Sequence, residues 1–136
     1  MNNEKPYLIQ FSSIGDPSLG YLSVAEQLDH IPFEISRVYW TYYTPQNVIR
    51  GGHANIDKEL LLVAVAGVIT VTTEMQDGNN ETFFLDHPSK GLYLPRLCWH
   101  TMQYSHNAVQ IVIASNLYSE SDYIRDYNDY KQHGII

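Results

Sequence analysis

The feature that most restricts this chain is a succession of short β-branched and aromatic runs, interrupted by turn signals about every eight to twelve residues. Residues 35–43 form one such run, and residues 60–65 are continuously apolar, as expected of a strand buried on both faces. Gly67 marks a tight corner, after which residues 68–73 continue as a strand. Asp77-Gly78-Asn79-Asn80 is the strongest hairpin signal in the chain. Residues 82–85, 91–94, 97–103 and 108–114 complete the set. Many short strands with regular turns predict an all-β sandwich or barrel.

The two ends read differently. The first thirty residues look irregular, with turn signals at Gly15-Asp16-Pro17 and around Gly20. Near the other end, Ser119-Glu120-Ser121-Asp122 offers a helix start with a capping box. Tyr123, Tyr127 and Tyr130 would then share one helical face, and Gly134 would stop the helix. No repeat, linker or low-complexity segment divides residues 1–136, so one domain is expected.

Charge and cysteine content narrow the functions. The formal net charge is −7, which disfavours nucleic acid and acidic membrane surfaces as partners. A single cysteine, Cys98, allows no internal disulfide and suits a reducing cytoplasm. Neither a signal peptide nor an apolar run of membrane-spanning length is visible. Eleven tyrosines against four phenylalanines favour strands and supply polar handles beside a pocket.

Three clusters could carry chemistry. In Arg50-Gly51-Gly52-His53-Ala54-Asn55, an extended backbone puts His53 and Asn55 on one face, and the glycines let a ligand approach. In Pro95-Arg96-Leu97-Cys98-Trp99-His100, a strand would align Cys98, His100 and Met102. In the third, Arg37 and Tyr39 share a face, where the arginine either pairs with an acidic residue or clamps an anion. Arg37, Arg50 and Arg96 all fall in or beside these clusters, and guanidinium groups match phosphate oxygens bidentately. His30, His87, His106 and His133 read as solvated.

The first two clusters resemble the paired motifs of the cupins, a histidine-x-histidine pair and a glutamate followed by a histidine five residues after a proline. His53, Glu59 and His100 match three of those four ligand positions. Asn55 replaces the second histidine, and Leu97 stands where a glycine is usual. An imidazole–imidazole–carboxylate set can hold a divalent metal. The amide is a poor substitute ligand, and nearby arginines repel a cation, so neither metal nor cofactor is expected.

Over nearly its whole length the chain also resembles the dTDP-4-keto-6-deoxyglucose 3,4-ketoisomerases, the WxcM-like cupins of bacterial surface-sugar pathways. The resemblance rests on Ile31-Pro32-Phe33, Arg37-Val38-Tyr39, Arg50-Gly51 with His53, Gly91-Leu92-Tyr93 and Trp99-His100. It continues through Ala114-Ser115, Tyr118 and the run from Ser121 through Asp122-Tyr123-Ile124-Arg125-Asp126 to Tyr127. It implies a cupin-type jelly-roll barrel with a short C-terminal helix, and a homodimer that exchanges N-terminal strands. It also implies a metal-independent ketone shift on a dTDP-linked 4-keto sugar, between C4 and C3 through an enediol. The site it implies has His53 at the chemistry, with Asn55 in place of the partner histidine, and Arg37, Tyr39, Arg50, Tyr93 and His100 around the substrate. An amide cannot exchange a proton near neutrality. His53 therefore acts alone or with a group such as His100 or Tyr39, or the protein is a non-catalytic nucleotide-sugar binder. A metal-dependent cupin is the third reading.

Overall fold

The computed structural model describes residues 4–135. Eleven strands run in order: β1 (Tyr7–Gln10), β2 (Ile14–Asp16), β3 (Gly20–Leu22), β4 (Arg37–Tyr42), β5 (Ile49–Asn55), β6 (Leu60–Ala66), β7 (Ile69–Met75), β8 (Asn80–Leu85), β9 (Lys90–Leu94), β10 (Cys98–Tyr104) and β11 (Val109–Ala114). A 3₁₀ turn (Glu120–Asp122), a short strand β12 (Tyr123–Ile124) and a helix α1 (Tyr127–Gln132) follow. One five-stranded sheet has the order β1-β9-β6-β11-β4, a second has β12-β5-β10-β7-β8, and β2 and β3 form a separate hairpin. All the strand pairs within these sheets are antiparallel. The result is a jelly roll with one short C-terminal helix.

Alternation along the strands builds the core. Leu60, Leu62 and Ala64 of β6, Leu92 and Leu94 of β9, and Val112 and Ala114 of β11 pack against Ile69, Val71, Leu85, Cys98 and Met102 of the facing sheet. The opposite parity of the first sheet packs Leu61, Val63 and Tyr93 against Phe11, Ile31 and Phe33 of the N-terminal segment. On the outside of the second sheet, Ala54 and Ile124 are closed off by Tyr130 of α1, with Leu97 and Trp99 beside them. The predicted hairpin forms between β7 and β8. Gly78 takes φ +89°, and the Asp77 carboxylate accepts from the Asn79 amide at 2.9 Å.

The structure corrects three expectations. The N-terminal region holds three strands, because Tyr7–Gln10 finds its ladder partner in β9, more than eighty residues away in the chain. The run 60–65 is buried only as far as Ala64, since Val65 reaches the end of the sheet. The helix begins at Tyr127, with Asp126 as its cap accepting from the Asp129 amide at 2.9 Å. Ser119 makes no capping bond, and Tyr123 and Ile124 instead join β5 as an added strand. Tyr123 therefore turns inward, away from the helical face of Tyr127 and Tyr130.

Candidate active site

Within the jelly roll, β4 ends one sheet, and the short strand β12 ends the other beyond β5, with the loop 43–48 joining β4 to β5. Residues of their inward faces line the candidate cleft. Arg37 and Tyr39 come from β4, while Val38, Trp40 and Tyr42 point outward and are exposed. From the second sheet come His53 and Asn55 of β5, His100 of β10 and Tyr123 of β12.

His53 owes its orientation to the glycines before it. Gly51 and Gly52 both adopt left-handed backbone, at φ +82° and +71°. They create a bulge in the β5–β10 ladder, where His100 pairs with His53 and Thr101 with Gly51. A Cβ on Gly51 would lie 2.8 Å from the His100 carbonyl oxygen, so the position accepts no side chain. The His53 and His100 rings meet edge to face with centroids 4.7 Å apart, and the Tyr123 ring also meets His53 edge to face at 5.0 Å.

This environment keeps His53 neutral. Burial is the main cause of a pKa pushed down to about 3, helped by His100, Arg125 and Lys58; only the Gly51 backbone favours the charged form. His53 Nδ1 is buried and has no hydrogen-bond partner among the described residues. His100 is fully buried and its pKa is also lowered, again by desolvation. Its Nδ1 lies 3.1 Å from the Cys98 carbonyl oxygen, which can only accept, so Nδ1 carries the proton and Nε2 is the acceptor.

On the facing lip, the Arg37 guanidinium lies 4.3 Å over the Tyr39 ring and 5.3 Å from the Tyr118 ring. Its Nη1 is buried without a partner, and among the described residues no carboxylate pairs with it. Burial, with Tyr123 second, pushes the Tyr39 phenol up to about 12, against the opposing pull of Arg37 and Arg50. The Tyr39 hydroxyl is therefore protonated, and it makes no hydrogen bond to a described residue.

Asn55 is buried on the same face as His53, but its amide donates to the Asp122 carboxylate at 3.2 Å. The other Asp122 oxygen accepts from the Asp57 amide at 2.7 Å, so this side chain ties the 3₁₀ turn to β5. Asn55 is thus engaged in holding the cleft wall.

Three residues singled out in the sequence lie elsewhere. Tyr93 faces the N-terminal segment and donates to the Glu59 carboxylate at 2.6 Å, on the far side of the sheet from His53. Glu59 also pairs with Arg96 at 3.2 Å, and the Arg96 Nε donates to the Asp57 carbonyl at 3.0 Å. Glu59 is thereby separated from His53 and His100. Among the described residues no three His, Cys, Asp or Glu side chains converge as metal ligands. The residues present therefore do not fit the three-ligand set. Leu97, where a glycine is usual, holds φ +55°, so the backbone keeps a glycine-like turn with a leucine side chain packed under α1.

Sequence reasoning missed Lys58, Tyr118, Tyr123 and Arg125. Lys58 is only 1% exposed; its Nζ lies 3.4 Å from the Tyr123 hydroxyl and 4.7 Å from that ring's centroid. Alternation could have found it, because Lys58 shares the parity of Leu60, Leu62 and Ala64, all in the inter-sheet core. Arg125 lies 4.3 Å over the same tyrosine and is gripped by Glu120 at 2.6 and 3.0 Å.

Comparisons with known proteins agree with this geometry. The model of the family described as FdtA: WxcM-like, C-terminal, matches residues 4–134. A TDP-4-oxo-6-deoxy-alpha-D-glucose-3,4-oxoisomerase of Aneurinibacillus thermoaerophilus is 39% identical over 128 residues, covering 93% of this chain and 90% of the relative. QdtA, a sugar 3,4-ketoisomerase of Thermoanaerobacterium thermosaccharolyticum solved with TDP, superposes with a TM-score of 0.88 at 33% identity, over 93% of this chain and 92% of that one. A histidine-to-asparagine variant of QdtA was solved with TDP-4-keto-6-deoxyglucose. The WlaRB TDP-quinovose 3,4-ketoisomerase of Campylobacter jejuni gives a TM-score of 0.89 at 30% identity, over 96% and 99% of the two chains. By sequence and by fold, the chain belongs to the WxcM-like FdtA family.

Proposed function

We propose that this protein is a TDP-sugar 3,4-ketoisomerase, moving the ketone of a TDP-linked 4-keto-6-deoxyhexose between C4 and C3 in the cytoplasmic synthesis of bacterial surface sugars. The observation that carries the proposal is the presence together of a neutral, half-buried imidazole, His53, and of Arg37, whose buried Nη1 has no partner among the described residues. The relatives named above as TDP-sugar isomerases supply the substrate class.

The chemistry needs one group for the carbon-bound proton and another for the oxygen-bound one. His53 takes the proton from C3 as the C3–H electron pair forms the C3–C4 double bond and the carbonyl electrons move to O4. Tyr39, protonated and free of other hydrogen bonds, gives its proton to O4 and recovers one from the C3 hydroxyl. His53 then returns its proton to C4. Protons and electrons balance without a cofactor. Arg37 and Arg50 bind the diphosphate, and His100 orients His53 across their edge-to-face contact.

The alternative of a non-catalytic nucleotide-sugar binder is favoured by one observation, the commitment of Asn55 to Asp122 instead of to the cleft. One experiment separates the two. In deuterated water, TDP-4-keto-6-deoxyglucose incubated with the protein should gain label at C3 and C4 and convert to the 3-keto sugar, read by NMR. TDP binding without any label would establish the binder. His53→Ala should abolish labelling and leave TDP affinity within about twofold.

A further inference from the structure

We infer that Lys58 is a further catalytic residue, an ammonium that holds the negative charge forming on the sugar oxygen when C3 is deprotonated. The inference rests on the isomerase reading above. Its foundation is the position of an amine that simple folding would not select. Lys58 is 99% buried, and among the described residues no carboxylate pairs with it. Among the described residues its one hydrogen-bond partner is the Tyr123 hydroxyl at a long 3.4 Å, and the ammonium lies 4.7 and 5.9 Å from the ring centroids of Tyr123 and Tyr118. A buried cation satisfied only by aromatic faces costs stability. Nothing in the packing calls for it, since the next inward positions of the same parity are filled by leucines.

Its location limits what it serves. The Tyr123 ring touches both Lys58 and His53, with centroid distances of 4.7 Å to the ammonium and 5.0 Å to the imidazole. The guanidinium of Arg37 lies against Tyr39 at 4.3 Å and shares the Tyr118 ring with Lys58, at 5.3 and 5.9 Å. Lys58 is thus linked to the proton-transfer group His53 through Tyr123 and to Arg37 through Tyr118, and the TDP arm of the test below separates the two roles. Deprotonation at C3 leaves a positive charge on His53 and a negative charge on O4, until Tyr39 delivers its proton. An ammonium already in place stabilises that oxygen without reorganising.

The test compares Lys58→Met with the parent protein. Removing one preorganised charge partner should slow both deuterium exchange at C3 and conversion to the 3-keto sugar by about a hundredfold to a thousandfold. Affinity for TDP, which lacks the sugar, should stay within about twofold by calorimetry. The thermal midpoint should hold or rise, because an unpaired buried charge has been removed. Exchange within tenfold of the parent would overturn the inference, as would TDP affinity falling along with exchange, which would assign the ammonium to the diphosphate. If Lys58→Met does not fold, Lys58→Gln serves the same comparison. A parent protein that neither exchanges nor converts the sugar would instead defeat the isomerase reading itself.

Discussion

Arg37 Nη1 and His53 Nδ1 are buried polar atoms without a partner among the described residues, as the proposed substrate site would require. A buried guanidinium nitrogen without a partner is rare in native proteins. Among the described residues no acidic side chain pairs with it, which supports the anion-clamp role proposed for Arg37. Arg37→Met removes no protein hydrogen bond. It should therefore leave the thermal midpoint unchanged or slightly raised, while weakening TDP binding by the value of a charged hydrogen bond, about 1.5–3 kcal/mol. Titration calorimetry beside a thermal melt measures both. Unchanged TDP affinity would remove Arg37 from the diphosphate site. His53 makes a second prediction through its pKa. With that value pushed down to about 3, the base is unprotonated throughout the neutral range. The profile of kcat/KM should therefore show no acid limb near the ordinary histidine value of about 6.5. A limb at that value would place the essential base on another residue.

At the scale of elements, the bulge in β5 and the added strand β12 shape the site. Gly51 and Gly52 share a left-handed backbone but differ in their surroundings: a Cβ on Gly51 would strike the His100 carbonyl, while one on Gly52 would meet open space. Gly52→Ala should cost about 1–2 kcal/mol, the conformational penalty alone. Gly51→Ala should cost more and should lower activity as well, because the bulge that aims His53 must shift. Equal losses in the two variants, by denaturant unfolding and by the labelling assay, would show that the bulge has no such role. The C-terminal helix supports the same strand from outside. The Tyr130 hydroxyl, 2.9 and 2.8 Å from the carbonyl oxygens of Glu74 and Leu97, pins α1 over Ala54, directly behind the cleft. The cover that Trp99 needs thus comes from its own chain, through ring contacts with Tyr127 and Tyr130 at 5.4 and 5.5 Å.

For the whole molecule, two neutral histidines, His100 buried and His53 half-buried, tie stability to pH. Both are depressed in the folded state, so the unfolded chain binds protons first as pH falls. Their contribution is intact above about pH 6.5 and is lost as pH falls below it, for His53 toward about pH 3, at up to 1.4 kcal/mol per pH unit for each histidine. His53→Gln should flatten that slope between roughly pH 6 and 4.5 in urea titrations; an unchanged slope would contradict the burial argument. The other molecular feature is the exposed row on edge strand β4, where Val38, Trp40 and Tyr42 are 48%, 63% and 55% accessible. An edge with this much apolar surface calls for cover. A homodimer is the expected cover, and light scattering that reports a monomer at micromolar concentration would exclude it.

Local patterning made much of this protein legible in advance. The strands from β4 to β11 follow from runs of alternating or continuous apolar residues and from the Asp77-Gly78 turn, because strand formation and turn chemistry depend on near neighbours. The pairings of His53 with Asn55 and of Arg37 with Tyr39 were visible for the same reason, since parity along a strand fixes which side chains share a face; their grouping with His100 in one site was what the family resemblance implied. Other features needed the tertiary fold. Tyr93 and Glu59 carry family-like spacing, but the parity of β6 and β9 turns them to the far side of their sheet. Tyr123 reads as helical by spacing, yet pairing with Asn55 draws it into an added strand, where ladder bonds and a place beside His53 outweigh helix propensity. Parity puts Lys58 on the inner face of its sheet but says nothing of its depth. Only the closing of two sheets around it, with Tyr118 and Tyr123 from the far end of the chain as walls, makes it a buried cation. Side-chain period is a local property, but the depth of a cleft and the charge balance inside it come from segments that meet only when the barrel closes.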